Sequence, residues 1–260
     1  MTSEEAKIAV LIDAENIPSA KLPAILEEIA VHGHIITKRA YGDFSSEKLR
    51  NWKNILNENA VIPVQQFSYT QGKNSSDSAM IIDAMDLLYT QKYDTFVLVS
   101  SDSDFTKLAS RLRESQIFVY GVGEKKTPVS FEKACDDFIY IENLKGVQDS
   151  RTSEKAKNAS NRKTRKANAS DKQMRLTDEQ FVEIYTLLMT AYEKYADDTG
   201  WAAVSAAGSL FKRLNPGFDP RDFGFRKLSD IIAYLNDDFE IKNIETSSVA
   251  ENKLYRPIEK

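Results

Sequence analysis

The chain has 260 residues, 42% of them hydrophobic and 28% charged, and a formal net charge of −4 at pH 7. That is the balance of a folded globular chain with material for one large domain or two modest ones. No apolar run reaches the roughly 18 residues of a membrane span. The single Cys135 excludes an internal disulfide and a cysteine zinc cage. His32 and His34 alone are too few for a histidine-rich metal site, so any metal here is a carboxylate one. The start, Met1 to Lys7, is polar and acidic and lacks the basic and apolar regions of a signal peptide. These features point to a cytoplasmic protein without membrane contact.

In chain order, the first part alternates strand and helix patterns. Ile8–Ile12 is an apolar run that reads as a buried strand. Residues 18–31 read as a helix, with Leu22, Ile25, Leu26 and Ile29 on one face. Strand 34–41 follows, then helix 46–59 with Leu49, Trp52, Ile55 and Leu56 as its stripe. Strand 61–67 leads to Asn74-Ser75-Ser76-Asp77, a cap-like start for a helix reaching about Thr90. Strand 96–100, helix 105–115, strand 118–121, helix 129–135 and strand 138–141 complete the series. Strands spaced by helices predict a parallel, doubly wound α/β sheet over residues 6–145. Right-handed crossovers then put all strand ends on one side.

Residues 146–174 break the pattern. They hold Ser, Asn, Lys, Arg and Ala with almost no large apolar residue, and read as a basic flexible linker. Charge divides along the same lines. Residues 1–150 carry 16 Lys and Arg against 22 Asp and Glu, residues 151–172 carry 8 against 2, and residues 173–260 carry 11 against 15. The net charges are therefore −6, +6 and −4. A basic stretch between two acidic parts suits contact with nucleic acid, and Lys163, Arg165 and Lys166 are its candidates.

Residues 175–258 outline a small winged-helix domain. Thr177-Asp178-Glu179-Gln180 opens a helix carrying Phe181, Ile184, Leu187, Leu188 and Ala191. Helical regions at 201–214 and 225–235 follow, and segments 239–244 and 253–258 form a terminal hairpin.

The chemistry gathers on acids. Asp13 ends the first strand, with Asn16 three residues on; Asp102 and Asp104 follow the strand at 96–100; Asp77 sits where a helix from Ser78 should begin. Each has a bland alternative as a loop or helix cap, worth about 1 kcal/mol. Three separate segments with an acid at a strand end or helix start favour a shared site. In an open α/β sheet, ligands collect outside the carboxyl ends of the strands. Carboxylates packed there repel one another unless a divalent cation relieves them. Such a site suits phosphodiester hydrolysis without a Ser, Cys or His nucleophile. Asp83, six residues beyond Asp77 and about 240° around the helix, does not share its face. It and Asp43 read as structural or site residues, with neither excluded.

These residues carry a resemblance. Residues 6–145 resemble the NYN domain, a branch of the PIN-like nuclease superfamily, through Leu11-Ile12-Asp13-Ala14-Glu15-Asn16, Gly72-Lys73-Asn74-Ser75-Ser76-Asp77 with Ile82-Asp83-Ala84, Val99-Ser100-Ser101-Asp102-Ser103-Asp104-Phe105 and Gly121-Val122-Gly123-Glu124. The approach Lys73-Asn74-Ser75-Ser76 departs from the Lys-Gly-Val-like run of many members. The resemblance implies a Rossmann-like sheet and RNA cleavage dependent on Mg²⁺ or Mn²⁺. It implies Asp13, Asp77, Asp102 and Asp104 as metal ligands and Asn16 as their companion. Residues 175–258 resemble the OST-HTH, or LOTUS, domain through Gly200-Trp201, the run from Asn215 to Phe225, Lys227-Leu228-Ser229 and Phe239-Glu240-Ile241. That family is linked to RNA and, in some members, to helicase partners. Arg221, Arg226 and Lys227 are the candidate phosphate contacts.

The expectation is a metal-dependent endoribonuclease with a C-terminal RNA-binding module. The alternatives are a non-catalytic RNA-binding scaffold and, less well supported, a phosphatase. A phosphatase would need a basic clamp such as Lys107, Arg111 and Arg113.

Overall fold

A computed structural model describes residues 5–67, 75–144, 176–244 and 252–258. The linker at 146–174 and the Gly72-Lys73-Asn74 part of the motif lie outside these residues. The chain divides into two units.

In the first unit, β1 (Lys7–Asp13), α1 (Leu22–Ala30), β2 (His34–Gly42), α2 (Trp52–Glu58), β3 (Ile62–Gln65), α3 (Ser75–Tyr89), β4 (Thr95–Val99), α4 (Thr106–Glu114), β5 (Phe118–Gly123), α5 (Val129–Ala134) and β6 (Asp137–Tyr140) alternate as expected. All strand pairs are parallel, in the order β3-β2-β1-β4-β5-β6. The order reverses between β1 and β4. That is where an open α/β sheet leaves a crevice at its carboxyl edge.

The unbroken apolar runs follow from double coverage. Ile8, Val10 and Ile12 face Leu22, Ile25 and Ile29 of α1 and Trp52 and Leu56 of α2. Ala9, Leu11, Phe96 and Leu98 face Met80, Ala84 and Leu87 of α3, Leu108 and Leu112 of α4, and Phe131 of α5. With helices on both faces, β1 and β4 have no polar side to show, so their sequences do not alternate.

Two expected helices are shorter than their apolar stripes suggested, each beginning with a separate 3-10 turn: Ser19–Lys21 and Glu47–Leu49. Pro23 falls in the opening turn of α1, where its missing N–H has no intrahelical partner to lose. One expectation erred in the other direction. The helix after the Asn74-Ser75-Ser76-Asp77 run starts at Ser75, not Ser78, so Asp77 stands inside the first turn of α3 rather than at its cap.

The second unit holds α6 (Asp178–Tyr195), β7 (Ala202–Ala203), α7 (Val204–Leu214), α8 (Leu228–Tyr234), β8 (Phe239–Ile244) and β9 (Asn252–Pro257). A capping box opens α6: Gln180 N donates to Thr177 Oγ1 (3.3 Å), and Thr177 N donates to Gln180 Oε1 (3.0 Å). The strands form an antiparallel sheet in the order β7-β9-β8, the hairpin expected of a winged helix. Ile184, Leu188, Phe211, Phe225, Ile231, Phe239 and Tyr255 are buried. The Tyr255 hydroxyl donates to the Leu188 carbonyl at 2.9 Å, so the deepest phenol keeps a partner. Trp201 is buried, with Lys242 Nζ 3.9 Å and the Arg256 guanidinium 4.5 Å from its ring centroid. Phe223 is only half-buried.

Candidate metal and catalytic site

Register brings the first two acidic corners together. Ile12 of β1 pairs with Val99 of β4, so the next residues, Asp13 and Ser100, leave the sheet side by side. Ser100 is fully buried and donates from Oγ to Asp13 Oδ2 at 2.8 Å. The same hydroxyl accepts from Asp102 N at 3.1 Å. One serine thus ties the end of β1 to the turn after β4. Ser101 Oγ accepts from Glu124 N at 2.9 Å and ties that turn to the end of β5. Gly123 makes this approach feasible, because a Cβ there would lie 2.7 Å from the Ser100 carbonyl oxygen.

Asp13 is 2% exposed and accepts from Asn16 Nδ2 (2.6 Å), Ser100 Oγ (2.8 Å) and Glu15 N (3.1 Å). Burial raises its pKa above the usual carboxylate value, and the hydrogen bonds from Asn16, Ser100 and the backbone pull the other way.

Asp102 caps the 3-10 turn, accepting from Asp104 N at 3.0 Å. The capping role that sequence gave to the pair thus falls to Asp102. Asp104 is exposed, and Asp77 and Asp102 are half-buried. Asp77, Asp102 and Asp104 each place an oxygen within 4.8 Å of the others. Asp77 carries the electrostatic record of this crowding. Burial and then the charges of Asp13, Asp102, Asp104 and Glu15 push its pKa up to about 6. Three hard oxygen donors within reach of one ion, with the Asp13 carboxylate close enough to act on Asp77, suit a divalent cation such as Mg²⁺ or Mn²⁺. The residues present therefore fit the metal that the fold implies.

The other acids have different company. Asp83 pairs with Arg39 and accepts from the Tyr41 hydroxyl on the sheet face under α3. Asp43 accepts from Ser45 N (3.1 Å) and Gln65 Nε2 (2.8 Å) and closes the turn after β2. Two of the three cations of the phosphatase alternative are engaged elsewhere. Arg113 pairs with Asp136 at 2.9 Å, and Arg111 sits beside Glu114 and Ser115. In the second unit the Arg221 guanidinium forks onto Asp219, with Nε–Oδ2 and Nη2–Oδ2 distances of 2.8 Å. Arg226 and Lys227 are exposed. Lys163, Arg165 and Lys166 lie outside the described residues.

Sequence reasoning missed Ser100, Ser101 and Glu15. The signal was present in the Ser-Ser pair between a buried strand and two aspartates, yet serines after a strand read as turn residues.

Among the described residues, no helix is long and apolar enough to cross a membrane. No curated protein matches the chain. Among solved structures, similarity extends to a crystal structure of a protein of unknown function from Vibrio parahaemolyticus. It is 20% identical, covers 54% of this chain and 96% of that one, and has a TM-score of 0.45. A solution structure of an uncharacterized protein from Nitrosomonas europaea is 23% identical, covers 38% and 90%, and has a TM-score of 0.29. Scores this low add nothing to the assignment. Residues 177–249 match the OST-HTH/LOTUS domain, a module associated with RNA binding. Residues 7–142, over half of the chain, match the NYN domain, and with the six-stranded parallel sheet and its acidic corner this chain belongs to the NYN family of PIN-like nuclease domains.

Proposed function

We propose that the chain is a metal-dependent endoribonuclease that hydrolyses RNA phosphodiester bonds at the acidic corner and uses its C-terminal unit to engage RNA. The observation that carries this reading is the convergence of Asp77, Asp102 and Asp104 at the carboxyl edge of the sheet, with Asp77 pushed up to about 6 by burial and then by the neighbouring acids. A divalent cation held there would offset the phosphate charge and lower the pKa of the attacking water. The chain's own residues do the positioning. Asp77, Asp102 and Asp104 present the oxygen donors. Asp13 adds a fourth carboxylate, its Oδ1 taking the Glu15 N–H. Asn16, clamped on Asp13 Oδ2, stands at the rim to orient substrate or water. Ser100 fixes the distance between the corners. Arg226, Lys227 and the linker cations Lys163, Arg165 and Lys166 supply phosphate contacts in this reading, and Arg221 serves Asp219 first.

The test is cleavage of labelled single-stranded and structured RNAs over a titration of Mg²⁺ or Mn²⁺. Wild type should cut, and Asp13→Asn and Asp102→Asn should not, with folding unchanged. Full activity in both variants, or activity in excess EDTA, contradicts the reading. Retained RNA binding with no product from any RNA would instead favour a non-catalytic scaffold.

A further inference from the structure

Beside the acidic corner lies a pocket of about 490 Å³ that the chemistry above does not use. Three connections at the carboxyl edge of the sheet wall it: the turn after β1 from Ala14 to Ala20, the β2–α2 connection at Lys48, Leu49, Asn51 and Trp52, and the turn after β5 at Glu124 and Lys126. Two of these walls are hydrogen-bonded to the acid-bearing segments, through Asn16 to Asp13 and through Glu124 N to Ser101. The pocket therefore opens next to the cluster.

Its size falls in the range of small-ligand sites, about 300–1,000 Å³. Its floor is apolar: Ala14, Ile17, Leu49 and Trp52 are all buried. Its rim is polar, with Asn16, Asn51, Lys48 and Lys126 exposed. Glu15 and Glu124 balance Lys48 and Lys126, and Lys126 Nζ lies 2.5 Å from Glu124 Oε2. A pocket without net charge beside a cluster of carboxylates suits a neutral, flat, edge-polar group better than a phosphate. An unpaired nucleobase is such a group, and side-chain amides read its donors and acceptors.

We infer that this pocket receives the base of the nucleotide adjoining the phosphodiester at Asp77, Asp102 and Asp104, and that Asn51 sets which base is preferred. The inference rests on the nuclease reading for its neighbour but not for its test. Lys48 and Lys126 contact the ribose-phosphate at the rim and act on all bases alike. The cleft of about 560 Å³ between α4 and β5, lined by Arg113, Phe118 and Asp136, lies at the opposite edge of the sheet and has no such link.

The experiment is metal-free binding of the four nucleoside 5′-monophosphates to the full chain in EDTA. Trp52 in the floor is the reporter. The chain has two tryptophans, so Trp201→Phe isolates the Trp52 signal. A saturable fluorescence change with one base preferred is expected. Asn51→Leu, at an exposed position, should weaken the preferred base about fivefold or more and flatten the ranking. Lys48→Ala with Lys126→Ala should weaken all four equally. Calorimetry on the unaltered chain repeats the measurement if Trp201→Phe unfolds. No saturable response to any nucleotide, or a ranking that Asn51→Leu leaves intact, overturns the inference. Cleavage of RNA by a chain without base-dependent binding overturns the pocket and leaves the nuclease. Base-dependent binding without cleavage supports the pocket and removes the nuclease.

Discussion

Two aspartates six residues apart on one helix have opposite surroundings. Asp83 meets donors, the Arg39 guanidinium and the Tyr41 hydroxyl. Asp77 meets other carboxylates and is pushed up to about 6 by burial and by their charges. The first arrangement is complete as it stands, because every charge has an opposite and every donor an acceptor. The second is unfavourable until something positive enters. A buried acid surrounded by donors holds a fold together, whereas an acid surrounded by acids marks a place for a cation. Asp13 lies between these cases: it holds donors from Asn16, Ser100 and Glu15 N, and its charge is one of those that raise the pKa of Asp77.

Variants at the two places should fail in different ways. The largest effect is expected at the acidic corner, where Asp102→Asn should lower RNA cleavage about a hundredfold or more. Its circular dichroism and melting temperature in EDTA should match wild type. A variant that loses activity only because it unfolds would erase the distinction between the two acids. Next in size is Asp83→Ala. It strands the Tyr41 hydroxyl in a fully buried residue and should cost about 1–3 kcal/mol in urea unfolding, with cleavage per folded molecule kept.

A smaller effect is the pH dependence of the metal-free protein. The folded pKa of Asp77 lies above its ordinary value of 3.8, at about 6. The folded state therefore binds more protons than the unfolded state between these values, and stability falls as pH rises through the window. Above about 6 the loss is complete. Asp77→Asn removes it, so the variant should melt above wild type at pH 7.5 in EDTA and the gap should shrink by pH 4.5. A gap that does not change with pH would mean that Asp77 is not crowded by charge. Smallest of all, Arg226→Ala with Lys227→Ala should weaken RNA binding a fewfold and reduce its salt dependence by about one unit of slope per contact. Filter binding at several salt concentrations would show it.

Much of this was legible in the sequence. The buried runs of β1 and β4 announced strands covered on both faces, and the acids at their ends announced a shared edge. The capping box at Thr177 announced α6. What stayed hidden depended on partners far along the chain. Arg39 and Tyr41 lie 44 and 42 positions from Asp83, so helical spacing put that acid on a different face from Asp77 without showing what it meets there. Ser100 owes its role to the register of β1 against β4, which a single strand does not reveal. The start of α3 was misjudged because Asp77 is a good cap by type, and only the backbone shows that the helix begins three residues before Ser78. The pocket beside the site draws its walls from three connections, and no one stretch of sequence contains it.

The central claim is that Asp77, Asp102 and Asp104 together hold a divalent cation used for RNA cleavage. Its most direct test is a Mn²⁺ titration of wild type, Asp102→Asn and Asp83→Ala, with bound ion and RNA cleavage read in the same samples. Binding and cleavage should rise together in wild type and in Asp83→Ala, and both should be lost in Asp102→Asn. Cleavage that proceeds in Asp102→Asn without bound Mn²⁺ would contradict the account.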